Sequence, residues 1–249
     1  MRVTNPPDSH VLEGDWVMRR PVQPVSLIDA VVENLRTELF SGTIGSNQAL
    51  TEVGVATQYD VARPTAKAAI EKLVAAGLLV RGSHKVARVP ELGPDDVRDI
   101  YNTRYCLERE PLRLLAAARR VPAQAQMAND EIKSVINGPQ IAIVEPDMRF
   151  HISLVDSMSS PRISGMYHKL AGEVRLCMSQ VQGRALLSAE SIYGEHARLL
   201  ELIVTGDQDA ATILLHKHLS RARERLAGAF GAEPGPEADF AYEAATARG

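Results

Sequence analysis

Apolar residues recur at intervals of three and four along most of the chain, the period of a helix that buries one face. The first stripe is Leu27, Ile28, Val31, Val32, Leu35 and Leu39 in "SLIDAVVENLRTELFSG". Ser26 with Asp29 three residues on has the form of a capping box, and Gly42 supplies the stop. A short helix is expected around "LTEVGVATQ". A third runs through "RPTAKAAIEKLVAAG", with Ala66, Ala69, Ile70, Leu73 and Val74 on one face and Gly77 at its end. The period then changes. "LLVRGSHKVARV" holds two β-prone arms around residues 82–85, which predicts a hairpin. "PELGPDD" reads as a linker whose acids cap the next helix. Helical patterns follow in "DDVRDIYNTRYCLEREPLRLLAAARR", "AQAQMANDEIKSVING", roughly 146–159, roughly 161–182, "SAESIYGEHARLLELIVTG" and "DQDAATILLHKHLSRARERLAGAF".

This order predicts a mainly α protein. Its N-terminal part is a winged helix-turn-helix with a small β-hairpin wing, a fold that places its third helix in a DNA groove. Its C-terminal part is an all-α antiparallel bundle. Six or seven helices fit the bundle, because residues 121–146 are poorly periodic. The expected divisions are a flexible arm at 1–24, the winged unit at 25–90, the helical unit at 91–230 and a flexible tail at 231–249.

Composition sharpens this picture in three respects. Of 249 residues, 45% are apolar and only 4% aromatic, which favours packed helices over a β-sandwich. The net charge of −3 gives no global attraction to nucleic acid, and residues 22–90 carry seven basic against six acidic side chains. DNA affinity must therefore come from where the charge sits. Two distant cysteines without metal-type spacing suit a reducing cytoplasm, and no apolar run approaches transmembrane length.

Three of the seven histidines, His151, His196 and His218, fall on the apolar stripes of three separate helices. Asp147 lies one turn before His151, on the same face. Any one inward histidine is ordinarily a core residue bonded to a carbonyl. Several imidazoles and a carboxylate buried together cost on the order of 2–7 kcal/mol each when unpaired, and a divalent cation satisfies them at once. Three imidazoles and a carboxylate suit Zn, Ni, Mn or Fe. Spacing does not choose among them, nor does it exclude a metal-dependent hydrolase or hydratase that activates water at the same residues.

Both parts of the chain carry a resemblance to the GntR transcription factors of the FadR subfamily, which have an FCD effector domain. "LTEVGVATQYDVARPTAKAAIEKLVAAGLL" is similar to the family's DNA-binding pattern, with Leu50, Glu52, Ala56, Val61, Arg63, Ala69, Leu73, Gly77 and Leu78 in register. Departures are Ala62 for serine, Ala66 for valine, Lys67 for arginine, and Ser46-Asn47 where Pro-Gly is frequent; Asn47 tolerates the left-handed conformation a turn requires. "DVRDIYNTRYCLEREPLRLLAA", "DMRFHISLVDSMSSP" and "EHARLLELIVTGDQDAATILLHKHL" resemble the effector domain, the first through Tyr101, Arg104, Leu107 and Glu108. The resemblance implies that Asp147, His151, His196 and His218 are metal ligands, with Zn the first expectation.

A metabolite-responsive regulator, not an enzyme, is thus expected, acting as a repressor. Arg63, Thr65 and Lys67 at the start of the third helix, and Arg81, His84 and Lys85 in the wing, are the candidate DNA contacts. The resemblance implies a homodimer on a palindromic operator. It also implies a small organic acid effector, for which Arg104 is the first candidate partner, with Tyr101 beside it and Arg175 as a further candidate. An ion pair of Arg104 with Glu108 is the competing expectation. Glu145 and Glu195 are expected to point away from the ligand face.

Overall fold

The computed structural model describes residues 26–82, 86–181, 186, 188–233 and 235. The N-terminal arm at 1–24, the centre of the wing and the tail beyond 235 lie outside the described residues.

The winged unit is built from α1 (Leu27–Phe40), β1 (Ala49–Leu50), α2 (Glu52–Gln58), α3 (Arg63–Ala75), β2 (Val80–Arg81) and β3 (Ala87–Arg88). Its strands form an antiparallel sheet in the order β1-β3-β2. Sequence periodicity had no means of seeing β1, which is two residues long. The core gathers Val31, Val32, Leu35 and Leu39 of α1 with Ala66, Ala69, Ile70 and Leu73 of α3, as their spacing predicts. Leu27, placed on the same stripe, is exposed instead. The expected capping box at Ser26 does not form: its side chain caps nothing, and Asp29 instead pairs with Lys72 of α3 at 2.5 Å. Asn47 does take the left-handed conformation (φ 59°) and turns the chain into β1.

The bundle holds α4 (Pro94–Ala118), α5 (Ala123–Ser134), α6 (Val144–Asp156), α7 (Pro161–Gln180), α8 (Ala189–Thr205) and α9 (Gln208–Ala229). A short 3-10 turn, Gln140–Ile143, leads into α6, so six α-helices account for the bundle among the described residues. Asp96 accepts from the Gly93 N–H at 2.8 Å and starts α4 in the predicted linker. Ser188 and Asp207 cap α8 and α9 through Ser191 and Ala210. The longest core runs through α4, α6, α7, α8 and α9. Leu176 of α7 packs into the other core, that of the winged unit.

Candidate metal centre

Asp147 and His151 on α6, His196 on α8 and His218 on α9 bring one ligand atom each within 4.8 Å of one another. The three imidazoles are buried, while the Asp147 side chain is 17% exposed and is the part of the cluster open to water. His151 Nε2 lies 3.2 Å from His218 Nε2. Asp147 Oδ1 lies 3.7 Å from His151 Nε2 and 3.5 Å from His196 Nε2. Two atoms bound to one ion at ~2.1 Å and at tetrahedral or right angles stand ~3.0–3.4 Å apart, so the histidine pair already has that spacing.

Two glutamates fix the orientation of the cluster. His151 Nδ1 meets Glu108 Oε2 at 2.6 Å, and His218 Nδ1 meets Glu195 Oε2 at 2.6 Å. Burial raises the Glu108 carboxyl, but the Arg104 charge and the hydrogen bonds from His151 and Tyr167 outweigh it and hold it below the usual carboxylate range. Burial likewise acts on Glu195 and is outweighed by His218 and Arg221, which hold it at about 2. Both groups are therefore acceptors, so each Nδ1 must carry the hydrogen. That leaves two Nε2 lone pairs facing each other at 3.2 Å, an arrangement that only a proton or a cation between them relieves. Burial disfavours a proton on His151, which it pushes below the usual range despite its carboxylate neighbours. His196 is pushed well below it by burial and then by the histidines beside it. Neutral imidazole is the form that binds a metal.

His196 has a further peculiarity. Both of its ring nitrogens are buried without a hydrogen-bond partner, while its ring stacks on Phe150 at 3.7 Å. Unpartnered buried nitrogens are costly unless something else binds them. The donor set thus fits a divalent cation on three counts: residue type, spacing and orphaned ligand atoms.

Glu108 and Glu195 are the residues that sequence reasoning assigned no role at the cluster. Glu195, expected to point away from the ligand face, is buried against His218 and Arg221. Arg104 forms the ion pair with Glu108 (Nε to Oε1, 3.0 Å), yet its Nη2 remains buried without a partner. Tyr101 lies under its guanidinium, 4.9 Å from ring centroid to Cζ. The structure does not bring Arg175 to this group. Arg175 grips Glu145 with two bonds of 2.7 and 3.0 Å in a cleft of about 870 Å³ between the two units, with its guanidinium over Phe40 of α1.

On the winged unit, Arg63 and Lys67 are exposed at the start of α3 and Thr65 is half-buried. Arg63 pairs with Glu52 of α2 at 3.0 Å, and Arg81 pairs with Glu71. His84 and Lys85 lie outside the described residues.

A three-helix unit with a wing, joined to a helical bundle built around a His/Asp cluster, defines the class of two-part DNA-binding regulator. Comparison with known proteins gives the same class. The profile for bacterial regulatory proteins of the gntR family matches residues 27–89, and that for the FCD domain matches residues 99–221. The chain belongs to the GntR family of bacterial transcriptional regulators, with an FCD domain following its helix-turn-helix.

The chain is 23% identical over 196 residues to the uncharacterised HTH-type transcriptional regulator YdhC of Bacillus subtilis, covering 77% of this chain and 87% of that protein. To BphR of Paraburkholderia xenovorans, described in the same terms, it is 24% identical over 207 residues, covering 78% and 82%. A putative transcriptional regulator GntR from Rhodococcus sp. RHA1 has the same fold with a TM-score of 0.70 at 20% identity, covering 81% of this chain and 97% of that one. For McbR/YncC of E. coli the TM-score is 0.67 at 19% identity, covering 82% and 99%. Among the described residues, no helix is long and apolar enough to cross a membrane.

Proposed function

We propose that this chain is a cytoplasmic, homodimeric regulator of the FadR subfamily that represses its target genes and answers to a small carboxylate metabolite. The carrying observation is the convergence of Asp147, His151, His196 and His218 from three helices to within 4.8 Å. These four residues hold a divalent metal, with Zn as the first expectation and Ni, Mn or Fe as the others. When bound, the ion supplies a Lewis-acid centre to which a carboxylate can bind. Arg104 supplies the second contact through its free Nη2, braced by Tyr101. The charges favour a monoanion. Glu108 offsets Arg104 and Glu195 offsets Arg221, so a divalent ion and Asp147 leave one positive charge.

Sensing suits this site better than hydrolysis. The two glutamates nearest the histidines are each engaged with a histidine and an arginine, so neither is set to act as a base.

The winged unit, residues 25–90, reads a palindromic operator as one half of the dimer. Arg63, Thr65 and Lys67 enter the major groove, and Arg81, His84 and Lys85 contact the backbone or minor groove. The helical unit, residues 91–230, passes its state on through α6. Glu145 lies two residues before Asp147 and is bonded to Arg175, which touches α1 at Phe40. An effector that favours one setting of this contact shifts DNA affinity.

The test is mass spectrometry of the native protein for retained metal and small molecule, paired with retention on its own promoter DNA and loss at high salt. Absence of metal, with Asp147→Ala and His196→Ala leaving thermal stability untouched, refutes the metal site.

A further inference from the structure

A histidine that holds a metal through one nitrogen ordinarily donates its other N–H to a fixed acceptor, which sets its tautomer and its aim. His151 and His218 have such acceptors in Glu108 and Glu195. His196 has none, although its Nε2 faces Asp147 at 3.5 Å and so leaves Nδ1 as the remote nitrogen.

Among the described residues, few buried side-chain atoms lack a partner: Arg36 Nε, Arg104 Nη2, Asn129 Oδ1 and the two nitrogens of His196. Asn129 Oδ1 is the one group of this set that can only accept. Asn129 is 1% exposed, on the face of α5 that carries Ala125, Ala128 and Ile132.

The packing of α5 against α6 and α8 brings it to the part of the bundle that holds His196. α5 runs antiparallel to α6, since Glu131 pairs with Arg149 and Arg120 reaches the Ser157 carbonyl. Asn129 is thereby level with Phe150, whose ring lies flat on His196. Ile132 of α5 clusters with Ile192 of α8. One turn back along α5 is Asn129, and one turn on along α8 is His196. A leftover donor and a leftover acceptor thus each lie within one turn of the same buried cluster.

We propose that Asn129 is the positioning residue for His196, its Oδ1 accepting the Nδ1–H when the four-residue cluster holds its cation. The inference rests on the metal reading above. A neutral amide suits this place. The other two acceptors are carboxylates offset by Arg104 and Arg221, whereas nothing described at His196 offsets a third buried charge.

The experiment titrates metal-free full-length protein with Zn²⁺ against a chromophoric chelator. Asn129→Leu is expected to lower Zn²⁺ affinity about 10–100-fold, the range for losing such a partner. Asn129→Asp keeps the acceptor oxygen, so it is expected to bind Zn²⁺ more tightly than Asn129→Leu while losing thermal stability in the metal-free protein, where its buried charge has no offset. In ¹⁵N-labelled, Zn-loaded protein, the Nδ1–H resonance of His196 is expected to be protected from exchange in the wild type and in Asn129→Asp, and lost in Asn129→Leu. A residue that serves packing alone would instead lower the thermal stability of the metal-free protein and leave this resonance in place. Zn²⁺ affinity unchanged in Asn129→Leu, with wild-type binding intact, overturns this proposal alone. Zn²⁺ binding that is absent from the wild type, or insensitive to His196→Ala, overturns the metal reading and this proposal with it. Should Asn129→Leu not fold, Asn129→Ser, too short to reach, takes its place with the same expectations.

Discussion

His151 and His218 present their Nε2 atoms to each other across 3.2 Å while a glutamate holds the far nitrogen of each. The glutamates dictate the tautomer, and the tautomer directs both lone pairs inward. Removal of metal should therefore uncover a repulsive pair. Treatment with a chelator is expected to lower the melting temperature, and Zn²⁺ to restore it. At free metal 100-fold above Kd the gain is about 2.7 kcal/mol. Differential scanning fluorimetry across a metal series checks this and ranks the ions.

Glu108 accepts from Arg104, Tyr167 and His151 in a site that is wholly buried. Glu108→Gln leaves the Arg104 guanidinium without its countercharge. The expected cost is about 3–5 kcal/mol in chemical denaturation. Metal affinity should also fall, by about 10–100-fold, because the His151 tautomer is no longer enforced.

The metal-free protein should weaken in acid in two stages. Burial keeps His151 and His196 below their usual pKa, so the folded state binds fewer protons than the unfolded chain once the pH drops under ~6.5. Stability then falls with pH, by up to about 1.4 kcal/mol per unit for each histidine. Glu108, held below the usual carboxylate range, and Glu195, held at about 2, contribute stability that is complete above the ordinary carboxylate range and is lost as the pH falls through that range toward 2. Saturating Zn²⁺ should suppress the first stage. Urea melts from pH 7.5 downward, with and without metal, read both.

Arg63 rests on Glu52 in an exposed ion pair, a contact of little strength that phosphate or a guanine edge can replace. Arg63→Ala is expected to cost about 1–3 kcal/mol of operator affinity if it reads a base, with relaxed preference at one position per half-site. Lys67→Ala should weaken all sequences alike and reduce the salt slope by about 1. Fluorescence anisotropy at several salt concentrations tells the two apart.

Arg175→Ala should leave the metal content intact and the DNA affinity of metal-free protein unchanged. The change in DNA affinity between metal-loaded and chelated protein should shrink, because the link from Glu145 to Phe40 is cut. An undiminished change in the variant would remove this link from the account.

The four clustered residues were legible in the sequence because each sits on an apolar stripe where a polar group needs a reason. The left-handed Asn47 was legible for a similar local cause. Glu108 and Glu195 were harder. Glu108 shares a helix face with Arg104, so the local ion pair was visible, but its reach to His151 of α6 depends on how two helices cross. Glu195 adjoins His196 and so points about 100° away from it around α8. Nothing in the local pattern shows that α9 fills that direction with His218 and Arg221. Ser26 does not form a capping box, and its partner acid pairs instead with Lys72 of α3 on the surface, a competitor that local pattern does not contain.

Leu176 belongs by position to the bundle and by packing to the other core. Hybrid regulators made by joining one protein's DNA reader to another's sensor at the linker would miss this plug. A graft at residues 90–94 opens a gap in the core of the winged unit unless the new sensor brings an apolar side chain to the same place. Modularity in this chain is therefore conditional, and one leucine on the seventh helix sets the condition.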